Sequence, residues 1–327
     1  MAAGGAALGE AVGAGAGFAG RWRGRGARRG AGRLLVGNGK AVAGGCLLGV
    51  FVVLAVIPGV IAPDNPAAEV FRPGLGPSLS HLLGTTAYGQ DVFSQLIWGA
   101  RASLIVALAV GAASTAVSVV VGVSAAYLGG AWDGLLSLVT DVLLVVPAFP
   151  LIVVIAAYTS GANLVMLIVV LVVTGWSFGA RQLRSQMLSL KRREFLEAAK
   201  SRGERRSYIV LFEALPTMTS LVIASFLSAA LYAVLAAAGL QFVGLGDPSS
   251  MSWGTMLYWA QNSEALNTGM VLWAVMPGVC VALLGAAFAL LNYAFDEIGN
   301  PALRPARIAR AKGKRAGTRR PTTISGD

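Results

Sequence analysis

Six stretches of this chain are apolar over roughly the 20 residues that a helix needs to cross a membrane, since a helix rises about 1.5 Å per residue and the hydrocarbon core is about 30 Å thick. They run approximately over 41–62, 102–128, 135–158, 163–180, 217–243 and 270–294. With no water in the core, every backbone N–H and C=O of such a stretch must find its partner within the chain, and a helix does this locally. The expected fold class is therefore all-α, a polytopic membrane protein with six transmembrane helices. Composition agrees: 13% of the 327 residues are charged and 56% are apolar, against about 25% charged in an ordinary soluble domain. The third and fourth spans are the least regular pair. Only Thr159-Ser160-Gly161-Ala162 separates them, and Pro147 and Pro150 interrupt the third. Neighbouring helices can satisfy the carbonyls that proline frees, so a kinked span is expected over a broken one, with a re-entrant hairpin as the alternative.

Charge orients the spans. Of the 26 Lys and Arg, 24 lie in three segments: the basic 1–40 segment, the loop 181–216 and the tail 295–327. Only Arg72 and Arg101, in the loop 63–101, fall on the other side. By the positive-inside rule the basic side is the cytoplasm, and six spans return both termini to it. The net charge of +11 thus flanks spans where topology demands it, and no aromatic-interleaved fold accompanies it, so nucleic acid is not an expected partner. The tail is expected to lie against anionic membrane lipid. Residues 1–20 are Ala- and Gly-rich with little to bury, which predicts disorder. The run 41–62 exceeds the roughly 7–15 apolar residues of a signal peptide and reads as a retained first span.

Between the fourth and fifth spans the sequence changes character. Glu194-Phe195-Leu196-Glu197-Ala198-Ala199-Lys200-Ser201-Arg202-Gly203 is polar and mixed in charge. Such a helix belongs in the aqueous phase and is the expected contact with another subunit. Phe195, Leu196 and Ala199 give a narrow apolar face, and Ala198 and Ala199 let a partner approach closely. Glu194 and Glu197 early and Lys200 and Arg202 late complement the helix dipole. Gly203 suits the left-handed conformation that ends a helix. Leu215-Pro216 marks the start of the fifth span, with Pro near a first turn where its missing N–H costs nothing. An amphipathic helix lying on the membrane is the alternative.

Glu197-Ala198-Ala199, Gly203, Ile209 and Leu215-Pro216 resemble the E-A-A…G…I…L-P loop of ABC importer permeases. Gly84-Thr85, Gly89-Gln90-Asp91-Val92 and Gly99-Ala100-Arg101 resemble the G-T-D-x-x-G-R-D-V…G-A-R stretch of the dipeptide/oligopeptide/nickel group, second-permease type. Phe242-Val243-Gly244-Leu245-Gly246 and Ser252-Trp253-Gly254-Thr255-Met256-Leu257 are similar to its F-L-G-L-G…S-W-G-x-M-L. The similarity covers about residues 80 to 304. It implies a permease subunit of a binding-protein-dependent importer in a bacterial-type plasma (inner) membrane. Glu197, Ala198, Ala199, Gly203, Leu215 and Pro216 would couple it to two separate ATPase subunits. A second homologous permease and an extracytoplasmic solute-binding protein would complete the assembly. Peptides are the first solute implied, oligosaccharides the alternative, and nickel comes third because ligands for a bare metal are absent. Ala237 stands where many relatives have Glu, and Gln90 and Gln95 stand where the similar motif has Arg, which points toward a neutral solute.

The remaining chemistry is sparse. Around Gly32 to Lys40 a phosphate loop would need Lys after Gly37, but Asn38 stands there, so ATP hydrolysis is expected in the separate subunits, not in this chain. No catalytic residue or cofactor is expected. Cys46 and Cys280 lie within apolar spans and read as packing residues. His81 is the single histidine, too little for a usual zinc site, and is expected to face water. Asp141 is the exceptional acid within a span; near the basic end, it is expected to be structural and paired with an Arg. The fifth span is rich in small residues from Ala224 to Gly239, which serve close packing or line a path equally well. A stand-alone secondary transporter, the competing class, should show internal repeats between its halves, and none is convincing. A membrane-embedded hydrolase would need a serine or metal site.

Overall fold

A computed structural model describes residues 38–158 and 163–299. The segments 1–37, 159–162 and 300–327 lie outside the described residues, and with them the expectations of N-terminal disorder and of a tail on lipid. Among the described residues regular structure is helical apart from one isolated bridge between Thr85 and Asp91. The principal helices are α1 (Gly39–Val56), α2 (Val92–Leu128), α3 (Gly130–Val145), α4 (Ala148–Tyr158) and α5 (Leu164–Gly175). They continue with α6 (Ser177–Leu190), α7 (Glu194–Ser201), α8 (Thr219–Phe242), α9 (Trp253–Asn262) and α10 (Val271–Gly299). By length and composition α1, α2, α8 and α10 can each cross a membrane, and the bent pairs α3/α4 and α5/α6 bring the number to six. The chain is an all-α, multi-pass integral membrane protein.

The fifth span matches its sequence reading closely, the sixth runs past its apolar stretch to Gly299, and the first four differ for identifiable reasons. The first run stops at Val56 because Pro58 follows, and a four-residue turn, Pro58–Ile61, continues it. The second helix starts ten residues before its apolar run, at Val92, because the Asp91 side chain accepts from Ser94 N–H at 2.7 Å and caps it. At 37 residues it is about 55 Å long, well beyond one hydrocarbon core. The third span is broken rather than kinked: α3 and α4 meet at 90°. Val146, before Pro147, is extended with ψ 127°, as the proline ring demands of the residue it follows. At Trp176 the fourth span bends by 41° and continues to Leu190, past residue 180 where its apolar run ends. There Arg184 reaches across to Asp133 with two hydrogen bonds of 2.7 and 2.8 Å, and Arg181 pairs with Asp141. Asp141 thus has the arginine partner expected for it. No long apolar run marks the helix α9 in the sequence.

Glycine and alanine decide how closely the helices approach. A Cβ on Gly122 of α2 would lie 2.3 Å from the Ala180 carbonyl of α6, and one on Gly111 would lie 3.1 Å from Phe226 of α8. Lipid tails give helices no hydrophobic reason to associate, so such backbone proximity and its dispersion contacts hold the bundle. On α8, Ala224, Ala230, Ala233 and Ala237 are buried in packing. Phe51 of α1 meets Trp253 of α9 edge-on at 5.3 Å. At the ends of the chain's described part, Lys40 and Asn38 both bind Glu297, which puts the start of α1 beside the end of α10. Cys46 and Cys280 are free.

Gly122→Val should overpack the α2/α6 crossing at a cost of about 1–3 kcal/mol. Thermal melting of the detergent-purified chain should show a clear drop, whereas Gly45→Ala, with no atom within 4 Å of the added Cβ, should melt no lower than wild type.

Candidate coupling site

An eight-residue helix is not stable in water on its own, so α7 depends on what it touches. Leu196 and Ala199 are fully buried. They pack with Val123 and Tyr127 of α2, Leu183 and Met187 of α6, and Ile209 and Met218 below α8. Lys191 Nζ donates to the Ala126 carbonyl at 3.1 Å, and Lys200 Nζ lies 5.9 Å from the Tyr127 ring centroid. At the C terminus Gly203 takes φ 77°. Its N–H donates to Lys200 O at 2.9 Å while Glu204 N–H donates to Ala199 O at 3.3 Å, the paired bonds that close a helix on a left-handed residue. The short helix is thereby fastened to the ends of α2 and α6 and to the foot of α8.

Part of the expected partner face is used inside the chain. Leu196 and Ala199, three residues apart, share the buried side, so Ala199 is an internal packing residue and not a surface for a partner to approach. Phe195 and Ala198 share another side, and both are exposed, Phe195 at 38%. Glu194 and Glu197 flank them and are exposed too. Beyond Gly203 the chain forms a π-helical turn, Ile209–Ala214, then a helical turn, Leu215–Thr217. Pro216 has no N–H to return to the Phe212 carbonyl, and the ladder ahead of it widens accordingly. Leu215 packs against the same buried cluster as Leu196, whereas Pro216 is exposed. Of the six expected coupling residues, Glu197, Ala198, Gly203 and Pro216 are open to solvent, Leu215 is partly buried and Ala199 is buried.

At the opposite end of the bundle the remaining motif residues hold one another. A Cβ on Gly84 would sit 2.4 Å from Leu75 O and one on Gly89 2.2 Å from Phe71 O, and both residues have positive φ, so only glycine fits. Thr85 Oγ1 donates to Arg72 O at 2.7 Å and accepts from Leu75 N–H at 2.8 Å. His81 does not face water: it is 7% exposed, its Nδ1 lies 3.0 Å from Asp91 Oδ1, and its ring stands edge-on to Phe71. A buried capping carboxylate needs a second polar partner, and the histidine is that partner. Asp64 brings a third ligand-type side chain within 4.8 Å of the pair. The helix cap and His81 already engage both Asp91 oxygens, so hydrogen bonding accounts for this cluster.

The glycine of the second motif and the tryptophan of the third meet. Gly99 leaves room for Trp253, whose Nε1 donates to Leu96 O at 2.9 Å. Ser252 caps α9 and donates from Oγ to Gln241 Oε1 at 2.8 Å, and Gly254 leaves room for the same glutamine. Gln95 donates to Gln90 and to Pro66 O, and Gln90 donates to Glu69. These two glutamines, where the motif has Arg, are thus hydrogen-bonded within the loop.

Four membrane-length helices, two bent pairs and an eight-residue helix between the second bent pair and the fifth span make an all-α, multi-pass membrane architecture. Residues 118–298 match the family described as the binding-protein-dependent transport system inner membrane component, and the chain belongs to that family. It is 30% identical over 276 residues to the dipeptide transport system permease protein DppC of Bacillus subtilis, covering 84% of this chain and 85% of that one. It is 36% identical over 183 residues to the oligopeptide transport system permease protein OppC of Mycobacterium tuberculosis, which covers 55% of this chain and spans 63% of the relative's length. A putative peptide permease protein of Brucella suis is 30% identical over 224 residues, covering 68% of this chain and 72% of its own.

His81→Ala and Asp91→Ala should each destabilise the chain, the second by about 1 kcal/mol or more through the lost helix cap. Chemical denaturation of both single variants and the double variant should give a non-additive cycle, with the double losing less than the sum. Additive losses would show that the pair does not act together.

Proposed function

We propose that this chain is the membrane-embedded permease subunit of an ATP-driven importer, and that α7 is its contact with an ATPase subunit. The division of α7 into two faces supports this most directly: Leu196 and Ala199 tie it to the bundle while Phe195 and Ala198 stay open. ATP is hydrolysed in separate subunits, two of them, and closing of that pair pushes on α7 and through it on α2, α6 and α8. A second homologous permease completes the membrane part, and an extracytoplasmic binding protein delivers the solute. Peptides are the solute class, in keeping with the dipeptide and oligopeptide permeases that the chain resembles. The basic side, with α7 and both termini, is the cytoplasm of a bacterial-type plasma (inner) membrane, because 24 of 26 basic residues lie there.

The two alanines separate docking from folding. Ala198→Asp places a charge in the open face, where a desolvated unpaired carboxylate costs about 3–5 kcal/mol against a partner. Membrane abundance should stay normal while pull-down of the ATPase subunits and solute uptake are lost. Ala199→Asp buries its charge inside the chain and should lower abundance itself. Gly203→Val should penalise the left-handed turn by about 1–2 kcal/mol and misdirect the following turn. Uptake by Ala198→Asp at the wild-type rate would remove α7 from the coupling role.

Orientation is tested separately. In a chain lacking Cys46 and Cys280, cysteine at position 263 should react with an impermeant maleimide in intact cells, and cysteine at position 201 should react only after permeabilisation. The reverse pattern would invert the topology.

A further inference from the structure

The two bent spans leave a cavity of about 480 Å³ between α2, the α3/α4 break, the α5/α6 bend and α8. One wall is the break itself, Leu143 to Ala148, and is apolar. The other carries hydroxyls and a carboxamide: Ser118, Thr174, Gln182, Ser225, Ser228 and Tyr232. Among the described residues none that lines the cavity is charged. Arg181 and Arg184, on either side of Gln182 in the sequence, are turned onto Asp141 and Asp133 of α3. Ser118 lies ten residues from the end of α2, about 15 Å along its axis, and the cavity is walled by membrane-spanning helices on several sides.

Two observations bear on what this space holds. Backbone that leaves helical geometry at membrane depth is tolerated where it is covered by protein or lines a water-filled cavity. The 90° break at Val146 and Pro147 borders this cavity. Most of the hydroxyls have partners: Ser118 Oγ lies 2.6 Å from Trp176 O, Thr174 Oγ1 lies 3.0 Å from Tyr232 Oη, and Ser228 Oγ accepts from Asn292 at 2.7 Å. Ser225 differs. It is 5% exposed, it lines the cavity, and its buried Oγ has no hydrogen-bond partner. That Oγ is closed off from water in this structure, and burying a hydroxyl without a partner costs stability, so opening of this wall to a solute group or a water would be favoured.

Resting on the import reading above, we infer that this cavity is this chain's share of the solute path and that it receives the uncharged amide backbone of a peptide, not its charged groups. Hydroxyls and carboxamides both donate and accept. They therefore match the N–H and C=O of an amide in either chain direction, while the apolar break accommodates side chains of differing shape. A carboxylate or ammonium placed there would lose water with no countercharge to replace it. The wall thus admits peptides of varied sequence without holding any one of them by charge.

The test uses the complete transporter in proteoliposomes, with Cys46 and Cys280 replaced by Ser. Ser225→Cys should react with a small hydrophilic methanethiosulfonate at least about tenfold faster than Val169→Cys on the exposed side of α5, since thiol modification follows access and thiolate content. Equal rates would show that the cavity is not a wet path. Ser225→Asp should lower ATP-driven uptake of Ala-Glu-Ala relative to Ala-Lys-Ala by about tenfold, because like charges repel strongly where water is scarce, and should leave ATPase-subunit binding intact. An unchanged ratio would overturn contact between solute and this wall. A wild-type complex that imports neither tripeptide nor Ala-Ala-Ala would sink the peptide reading and the amide part of this proposal together, while the labelling rates decide the path on their own.

Discussion

The close approach of α2 to its neighbours is the constraint on which the rest of the structure depends. In hydrocarbon a helix gains nothing by hiding apolar surface from lipid, so helices associate where small residues let backbones touch. Along α2 glycines admit close neighbours at three places: Gly99 beside the Trp253 ring and the Ser252 backbone, Gly111 beside the Phe226 ring, and Gly122 against the Ala180 carbonyl. A side chain at any of these positions would push α9, α8 or α6 away. Because α2 is 37 residues long and continuous, it also connects the two ends of the molecule. Asp91 and His81 fix its first turn, and Val123 and Tyr127 near its last turns carry the underside of α7.

That continuity bears on the role proposed for α7. α7 is too short to hold its own shape, and the contacts that fold it are the contacts that bind it to the bundle. Displacing α7 therefore means displacing the ends of α2 and α6 and the foot of α8. The ion pairs Asp133–Arg184 and Asp141–Arg181 join α3 to α6 near the same end. Arg184 makes a bidentate contact with fixed geometry. Arg181 and Asp141 are largely exposed, and such pairs contribute little to stability. The bundle is closely packed where α7 is attached and interrupted where the cavity lies, at the breaks in the third and fourth spans.

The sequence made legible what depends on continuous apolar runs and on charge. The fifth span was read as 217–243 and is Thr219–Phe242, because nothing interrupts its pattern. Hydropathy could not place the start of α2, since Val92 to Arg101 is a helix fixed by a cap and by Trp253, not by apolar length. Pro147 was visible, but whether neighbours straighten or break a span at proline depends on tertiary contacts. The Ser252–Thr255 capping pair was the available signal for α9. His81 was misplaced because its burial depends on a long-range partner, Asp91, and on Phe71. On α7 the composition marked a docking helix, but its apolar residues were assigned to one face, whereas Leu196 and Ala199 turn inward and Phe195 and Ala198 outward. The cavity could not be read at all, since its walls come from helices far apart in sequence.

The attachment of α7 to α2 is measured most directly by double electron–electron resonance between spin labels at Ser201 and Leu128, both exposed, in the assembled, import-competent transporter. The expected distance is the same in the nucleotide-free and ATP-trapped states, because the two helices move as one body. A distance that changes between those states would show α7 moving independently of the bundle and would contradict its role as a fixed lever.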